Sequence, residues 1–207
     1  KLINSLIIFD RTKNILNSPV IQKKIKNKFL IIGTEVPLSG SGDTSKISLT
    51  NINHIREECR QFKDVLRDLK FKNKKFGLVI EPGMKYMHSK VVVPRFKKFS
   101  KKKMISKNEN FVFEAHSSDY QSKHTLKKLV ENNFKFLKVG PELTYNYAKA
   151  LFDMHHIEKK IFKTKNSNVK KVILSSMVNN SKYWKGYYDK KNINLFLNSK
   201  LDRMRYY

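Results

Sequence analysis

The sequence predicts an α/β fold in which a parallel sheet is built up through crossover helices. Three observations carry that prediction. Four times, a short apolar run is followed by polar residues and then by a stretch whose apolar positions recur at helical spacing, an alternation that parallel sheets require. No linker or low-complexity segment separates the four units. The chain has 207 residues, 40% of them apolar, which suffices for a real core and argues against wholesale disorder.

Residues 1–28 read as a helical lead-in. The first strand is KFLIIGTEV (28–36). A loop, PLSGSGDTSK, leads to a helix near 50–70 whose apolar positions Ile52, Ile55, Cys59, Phe62, Leu66 and Leu69 fit the helical period. The second strand, FGLVIEPG (76–83), precedes a Lys-rich, weakly helical stretch at 94–107. The third, FVFEAH (111–116), precedes a helix near 122–132. After the fourth, FKFLKVG (134–140), Pro141 stands as the first residue of a helix, where its missing N–H costs nothing. That helix continues through LTYNYAKALFDMHHIEKKIF. Residues 29–162 thus hold four β/α units, expected to pair in parallel and in chain order. Residues 163–207 read as a C-terminal helical extension, with aromatics in KYWKGYYDK and a basic, aromatic end, LDRMRYY. Four units make half of an eight-stranded barrel, which in full takes about 250 residues.

Alternate residues of a strand share a face. Val112, Glu114 and His116 therefore face one way, and Phe111, Phe113 and Ala115 the other. By the same rule Glu35 joins Ile31 and Gly33, Glu81 joins Val79, and Lys138 joins Phe136 and Gly140. If these faces point inward, Glu35, Glu81, Glu114, His116 and Lys138 converge where the strands end, the place where such folds bind ligands. Charges there are costly unless paired or solvated, and a pair between Lys138 and a carboxylate would meet that cost.

The formal charge is +27, which invites a nucleic-acid reading. The excess is nearly all Lys, scattered, with only seven Arg and abundant Asn and Ile. A drift toward A/T-rich codons explains that mixture, and Arg is the better reader of phosphate and guanine. No specific nucleic-acid partner is therefore expected. The lone Cys59 and the absence of both a long apolar run and a signal-peptide pattern point to a cytoplasmic protein without a membrane partner.

In order along the chain, GTEVP (33–37), EPG (81–83), FEAHSSDYQ (113–121), FKFLKVGPELTY (134–145), KYWKGYY (182–188) and LDRMRYY (201–207) resemble the non-catalytic Z subunits of bacterial tagatose-1,6-bisphosphate aldolase, the accessory family of a class II aldolase. The resemblance implies a TIM (β/α)8-barrel, of which this chain covers the last four β/α units plus the helical extension. The first four strands would then lie outside this sequence, and a truncated copy is one expectation. Ser118 stands where the family usually has Thr, and Glu81 where Gln is usual. Ser39 and Ser41 interrupt a Pro-Gly-Gly loop, and the Lys-rich 95–107 replaces a more acidic helix.

The implied function is a chaperone-like subunit, without cofactor, that stabilises and activates the zinc-dependent catalytic subunit in galactitol and N-acetylgalactosamine catabolism, the D-tagatose 6-phosphate pathway. The zinc is expected in that partner, and an oligomer is expected. The alternatives are a ketose-bisphosphate aldolase acting at its own barrel mouth, or a Lys-rich nucleic-acid-binding fragment.

The residues themselves leave several roles open. His116 with Asp119 reads as a metal site, as a general acid–base pair, or as a hydrogen-bonded rim in which Asp119 or Ser118 caps the next helix. Zinc wants three protein ligands, and His155 and His156 lie far along the chain, so no metal ligand is assigned. Lys138 could form a Schiff base if desolvated, whereas carboxylates around it would keep it protonated. Gly140 and Pro141 open a helix whose N–H groups suit a phosphate, or form an ordinary turn. The catalytic candidates are Glu114, His116 and Lys138. The ligand-binding candidates are Glu35, Glu81, His116, Ser117, Asp119, Lys138 and Gly140. Trp184, with Tyr183, Tyr187 and Tyr188, is either a partner-facing patch or packing within the extension.

Overall fold

The computed structural model of the chain describes residues 5–25, 28–33, 47, 49–68, 76–96, 111–162, 166–189, 192 and 194–207. Two helices, α1 (Ser5–Asn17) and α2 (Pro19–Ile25), lead into strand β1 (Leu30–Ile32). Helix α3 (Ile52–Asp68) follows, and then β2 (Phe76–Ile80), a short hairpin of β3 (Lys85–Tyr86) and β4 (Val91–Val92), and β5 (Phe111–Ala115). Helix α4 (Lys123–Glu131) leads to β6 (Phe134–Leu137) and the long α5 (Pro141–Ile161). Helices α6 (Val169–Asn179) and α7 (Asn194–Asn198) and a 3-10 turn (Arg203–Tyr206) complete the described elements.

The four longer strands form one sheet in the order β1-β2-β5-β6. Every neighbour is parallel: Leu30 pairs with Phe76, Phe76 with Phe111, and Phe113 with Phe134. The predicted α/β class and strand order therefore hold. One face is packed by helices, because strand alternation sends Leu78, Ile80, Phe111, Phe113, Ala115 and Phe134 onto it. There they meet Ile55, Cys59, Phe62 and Leu66, which lie on one stripe of α3. Phe62 reaches Phe76 edge-on at 5.5 Å between ring centroids, and Phe113 meets Phe134 at 5.5 Å. Truncating such a fully buried ring to Ala costs about 3–5 kcal/mol.

The other face is thinner and shaped by one glycine. A Cβ on Gly77 would lie 3.1 Å from both Ile31 Cγ1 and Phe29 Cε1. Phe29, at the start of the first edge strand, touches Phe136 on the opposite edge at 4.8 Å between centroids. Rings from two edges can meet only if the sheet curves toward this face, and Gly77 leaves the room in which they meet.

One element is new and one reading changes. The run MKYMHSKVVV, to which the spacing assigned no element, forms the β3–β4 hairpin, with the Met87 N–H donating to the Lys90 carbonyl at 2.9 Å. Positions 94–96 of the stretch read as weakly helical are loop and turn. The rest of that stretch, Leu69 and the end of the first strand lie outside the described residues.

A second apolar cluster holds the C-terminal part together. Phe152 of α5, Met177 of α6, Trp184, Tyr188, Phe196, Leu201 and Met204 pack with Tyr86 of the hairpin. The Trp184 indole N–H donates to the Met177 carbonyl, so the indole buries its ring and satisfies its one donor. Trp184 and Tyr188 are thus packing residues, while Tyr183 and Tyr187 are exposed.

Candidate functional site

Strand alternation brings Glu114 and His116 side by side on the thin face, as the sequence suggests. The His116 Nε2 lies 2.8 Å from Glu114 Oε1, with the imidazole buried and the carboxylate half-buried. Beyond His116 the chain turns sharply. Ser117 and Tyr120 both adopt left-handed backbone, with φ of 58° and 60°. Two such residues within four cost on the order of 1–3 kcal/mol each and persist only where surrounding bonds impose them.

The bonds that impose the turn come from the next β/α unit. The Ser118 hydroxyl donates to the Lys138 carbonyl at 2.8 Å. Asp119 Oδ1 accepts from the amides of Gly140 (2.8 Å) and Glu142 (2.9 Å). In return, the Tyr120 amide donates to Glu142 Oε2 at 2.7 Å. This is the reciprocal logic of a capping box, performed between two segments. Asp119 therefore caps α5, while α4 takes its cap from Ser122, whose oxygen accepts from the Thr125 amide.

The other candidates do not converge as one set. Asp119 reaches the α5 amides and is not the partner of His116. Gly140 presents its N–H to Asp119 rather than offering it to a phosphate. The Lys138 side chain is exposed and makes no ion pair with a carboxylate among the described residues. Glu81 is buried and folds onto its own turn, accepting from the Gly83 amide at 3.2 Å. Its backbone is tied to Thr50 in both directions. Burial pushes the neighbouring Lys85 ammonium down, and the Glu81 charge partly offsets that shift. Ser117 is buried in the turn, and Glu35 lies outside the described residues. Among the described residues no three His, Cys, Asp or Glu side chains stand close enough to hold a metal.

A polar cluster that the sequence did not reveal adjoins this rim. The Tyr120 hydroxyl donates to the Lys200 carbonyl at 2.9 Å. The Tyr120 ring stands edge-on to Tyr86 and Tyr145, and the Lys200 ammonium lies 4.7 Å above it. Asp202, fully buried in left-handed backbone, accepts from the Thr144 hydroxyl. Burial pushes Asp202 up to about 6, and burial followed by the Asp202 charge pushes the Tyr120 phenol up. Partners 80 residues apart leave no periodicity to read.

Comparison with known proteins adds to this geometry. A family model described as D-tagatose-1,6-bisphosphate aldolase subunit GatZ/KbaZ-like matches residues 11–207. The D-tagatose-1,6-bisphosphate aldolase subunit GatZ of Escherichia coli O139:H28 (strain E24377A / ETEC) is 32% identical over 187 residues, covering 86% of this chain and 44% of that protein. The subunit of the same name from Shigella boydii serotype 18 (strain CDC 3083-94 / BS512) matches to the same extent. Among solved structures, a probable tagatose 6 phosphate kinase from Sinorhizobium meliloti 1021 superposes with a TM-score of 0.70 at 26% identity, covering 86% of this chain and 45% of that one. The chain thus spans less than half the length of the curated relatives it matches.

Proposed function

The chain belongs to the GatZ/KbaZ-like family of D-tagatose-1,6-bisphosphate aldolase subunits, and from that premise we propose that it is a non-catalytic subunit. In this reading it stabilises and activates a zinc-dependent catalytic aldolase subunit in galactitol and N-acetylgalactosamine catabolism. It needs no cofactor of its own, and it works in the cytoplasm. No helix among the described residues is long and apolar enough to cross a membrane. The four β/α units are the second half of a TIM barrel with a helical extension. The curved sheet, with Phe29 against Phe136, and the coverage of less than half of the relatives support that assignment.

The observation that carries the non-catalytic reading is the Asp119 carboxylate seated on the Gly140 and Glu142 amides. A helix N-terminus at a strand end is where a sugar phosphate would sit, and here a protein carboxylate fills it. Aldol cleavage also needs a group to stabilise the carbanion, a Lewis-acid metal or a protonated Schiff base. The described donors do not fit a metal: Asp119 is committed to α5, Glu81 to Gly83, and the His116–Glu114 pair stands without a third ligand. An exposed Lys138 lacks the desolvation that activates a Schiff-base lysine.

The His116–Glu114 pair supports a second reading, a ketose-bisphosphate aldolase acting at this mouth through an acid–base dyad. One assay separates the two. The purified chain is incubated with tagatose 1,6-bisphosphate, with and without zinc, and then treated with borohydride. No cleavage and no adduct are expected. Turnover lost in His116→Ala, or a reduced adduct on Lys138, would establish the second reading.

A further inference from the structure

The C-terminal extension carries an unusual concentration of two residue types. Five of the nine tyrosines fall within 183–207, and two of the seven arginines within the last five positions of this sequence. Elsewhere the positive charge is mostly Lys. Tyr and Arg are the residues that anchor protein interfaces, whereas Lys is depleted there.

The structure puts these residues on one surface. Tyr183, Tyr187 and Tyr206 are exposed by 37%, 39% and 44%. Tyr183 and Tyr206 stack at 5.1 Å with 26° between their planes, and Tyr207 meets Tyr183 edge-on at 5.7 Å. The patch stands on the buried Trp184, Tyr188 and Met204. Gly186, at φ 90°, makes the turn that presents Tyr187.

Arg203 is the centre of the patch. Its guanidinium carbon lies 3.4 Å from the Tyr187 ring centroid and 5.9 Å from that of Tyr206. Its Nε is buried without a hydrogen-bond acceptor, and it pairs with no carboxylate among the described residues. A buried donor on a charged group left without an acceptor is expensive. A guanidinium held over the Tyr187 ring at this distance is pre-organised for one acceptor above others, a planar carboxylate.

We propose that this patch is a docking surface for a protein partner, which presents an Asp or Glu carboxylate to Arg203 and apolar surface to the tyrosines. Resting on the accessory-subunit reading, the proposal names the catalytic aldolase subunit as that partner. Single-stranded nucleic acid fits less well. Stacking of bases needs open ring faces, and here Tyr183 and Tyr206 cover one face of each other and the Arg203 guanidinium covers one face of Tyr187.

The test measures binding of the full chain to the zinc-dependent catalytic subunit of tagatose-bisphosphate aldolase, with poly(U) RNA as a second probe. Arg203→Lys keeps the charge and loses the fork, and Tyr187→Leu keeps an apolar side chain and loses the ring. Each should weaken binding to the catalytic subunit at least about tenfold, the range of an interface anchor, without shifting the thermal melt. A double change at exposed lysines of α5, Lys159→Gln with Lys160→Gln, should leave the affinity within about twofold, as scattered surface charges do. Wild-type binding that both patch variants retain would overturn this docking face and leave the accessory reading intact. Failure of the wild-type chain to bind would overturn both. Binding of poly(U) that the patch variants lose, with none to the catalytic subunit, would replace the protein partner by nucleic acid.

Discussion

Asp119 joins two β/α units, so its removal should be felt in stability before anything else. Asp119→Ala leaves the Gly140 and Glu142 amides without their acceptor. A lost cap of this kind costs about 0.5–2 kcal/mol, and the denaturant midpoint should fall accordingly, with Asn recovering part of the loss. Asp202 predicts a pH dependence. Its folded value is raised from 3.8 to about 6 by burial, so the folded state holds a proton that the unfolded state releases between those limits. Stability from this group is therefore greatest below pH 4 and is lost as pH rises toward 6. Asp202→Asn, which also tolerates left-handed backbone, removes that loss. The difference in melting temperature between variant and wild type should grow from pH 4 to pH 7; a gap that stays constant contradicts the assignment. Strand alternation was enough to place Glu114 beside His116. The direction of Asp119 was not legible, because it depends on the left-handed turn at Ser117 and on amides 21 and 23 residues away.

At the scale of elements, α3 and the four sheet strands were legible because each buries a face with its own period. Of the positions that the spacing named, Ile55, Cys59, Phe62 and Leu66 are buried on α3, Ile52 at its start is half-buried, and Leu69 lies outside the described residues. The spacing did not mark Glu58, which is also buried on α3 and stands 3.3 Å from His54. The β3–β4 hairpin escaped notice because two-residue strands are too short to show alternation. Its purpose appears only in three dimensions: the His88 Nδ1 lies 2.8 Å from the Ser199 hydroxyl, and Tyr86 joins the C-terminal core. Gly77 offers the sharpest test of the curved sheet. Gly77→Ala places a methyl 3.1 Å from two side chains that also close the thin face. Overpacking of that kind costs about 1–3 kcal/mol. Phe29→Leu in the same background should recover part of it, as a thermal melt of the double variant would show. A melt of Gly77→Ala equal to wild type would mean that Phe29 and Phe136 do not confine this position.

For the whole molecule, the account rests on a sheet with two edges. Neither β1 nor β6 has a strand on its outer side among the described residues. Leu143, Tyr147, Met154, Ile157 and Ile161 also expose one side of α5. Unpaired edges invite association, so the chain alone should sediment as oligomers. Association should increase with salt, which screens the mutual repulsion of molecules carrying a formal charge of +27. A monodisperse monomer at both low and high salt would contradict the half-barrel reading. The central claim is that the chain acts by sustaining a catalytic partner. It is tested most directly by following the aldolase activity of the zinc-dependent catalytic subunit over hours, alone and with an equimolar amount of this chain. The account predicts no tagatose 1,6-bisphosphate cleavage by the chain alone, and a higher or longer-lived activity in the mixture. Unchanged activity and decay in the mixture, or cleavage by the chain without its partner, would contradict it.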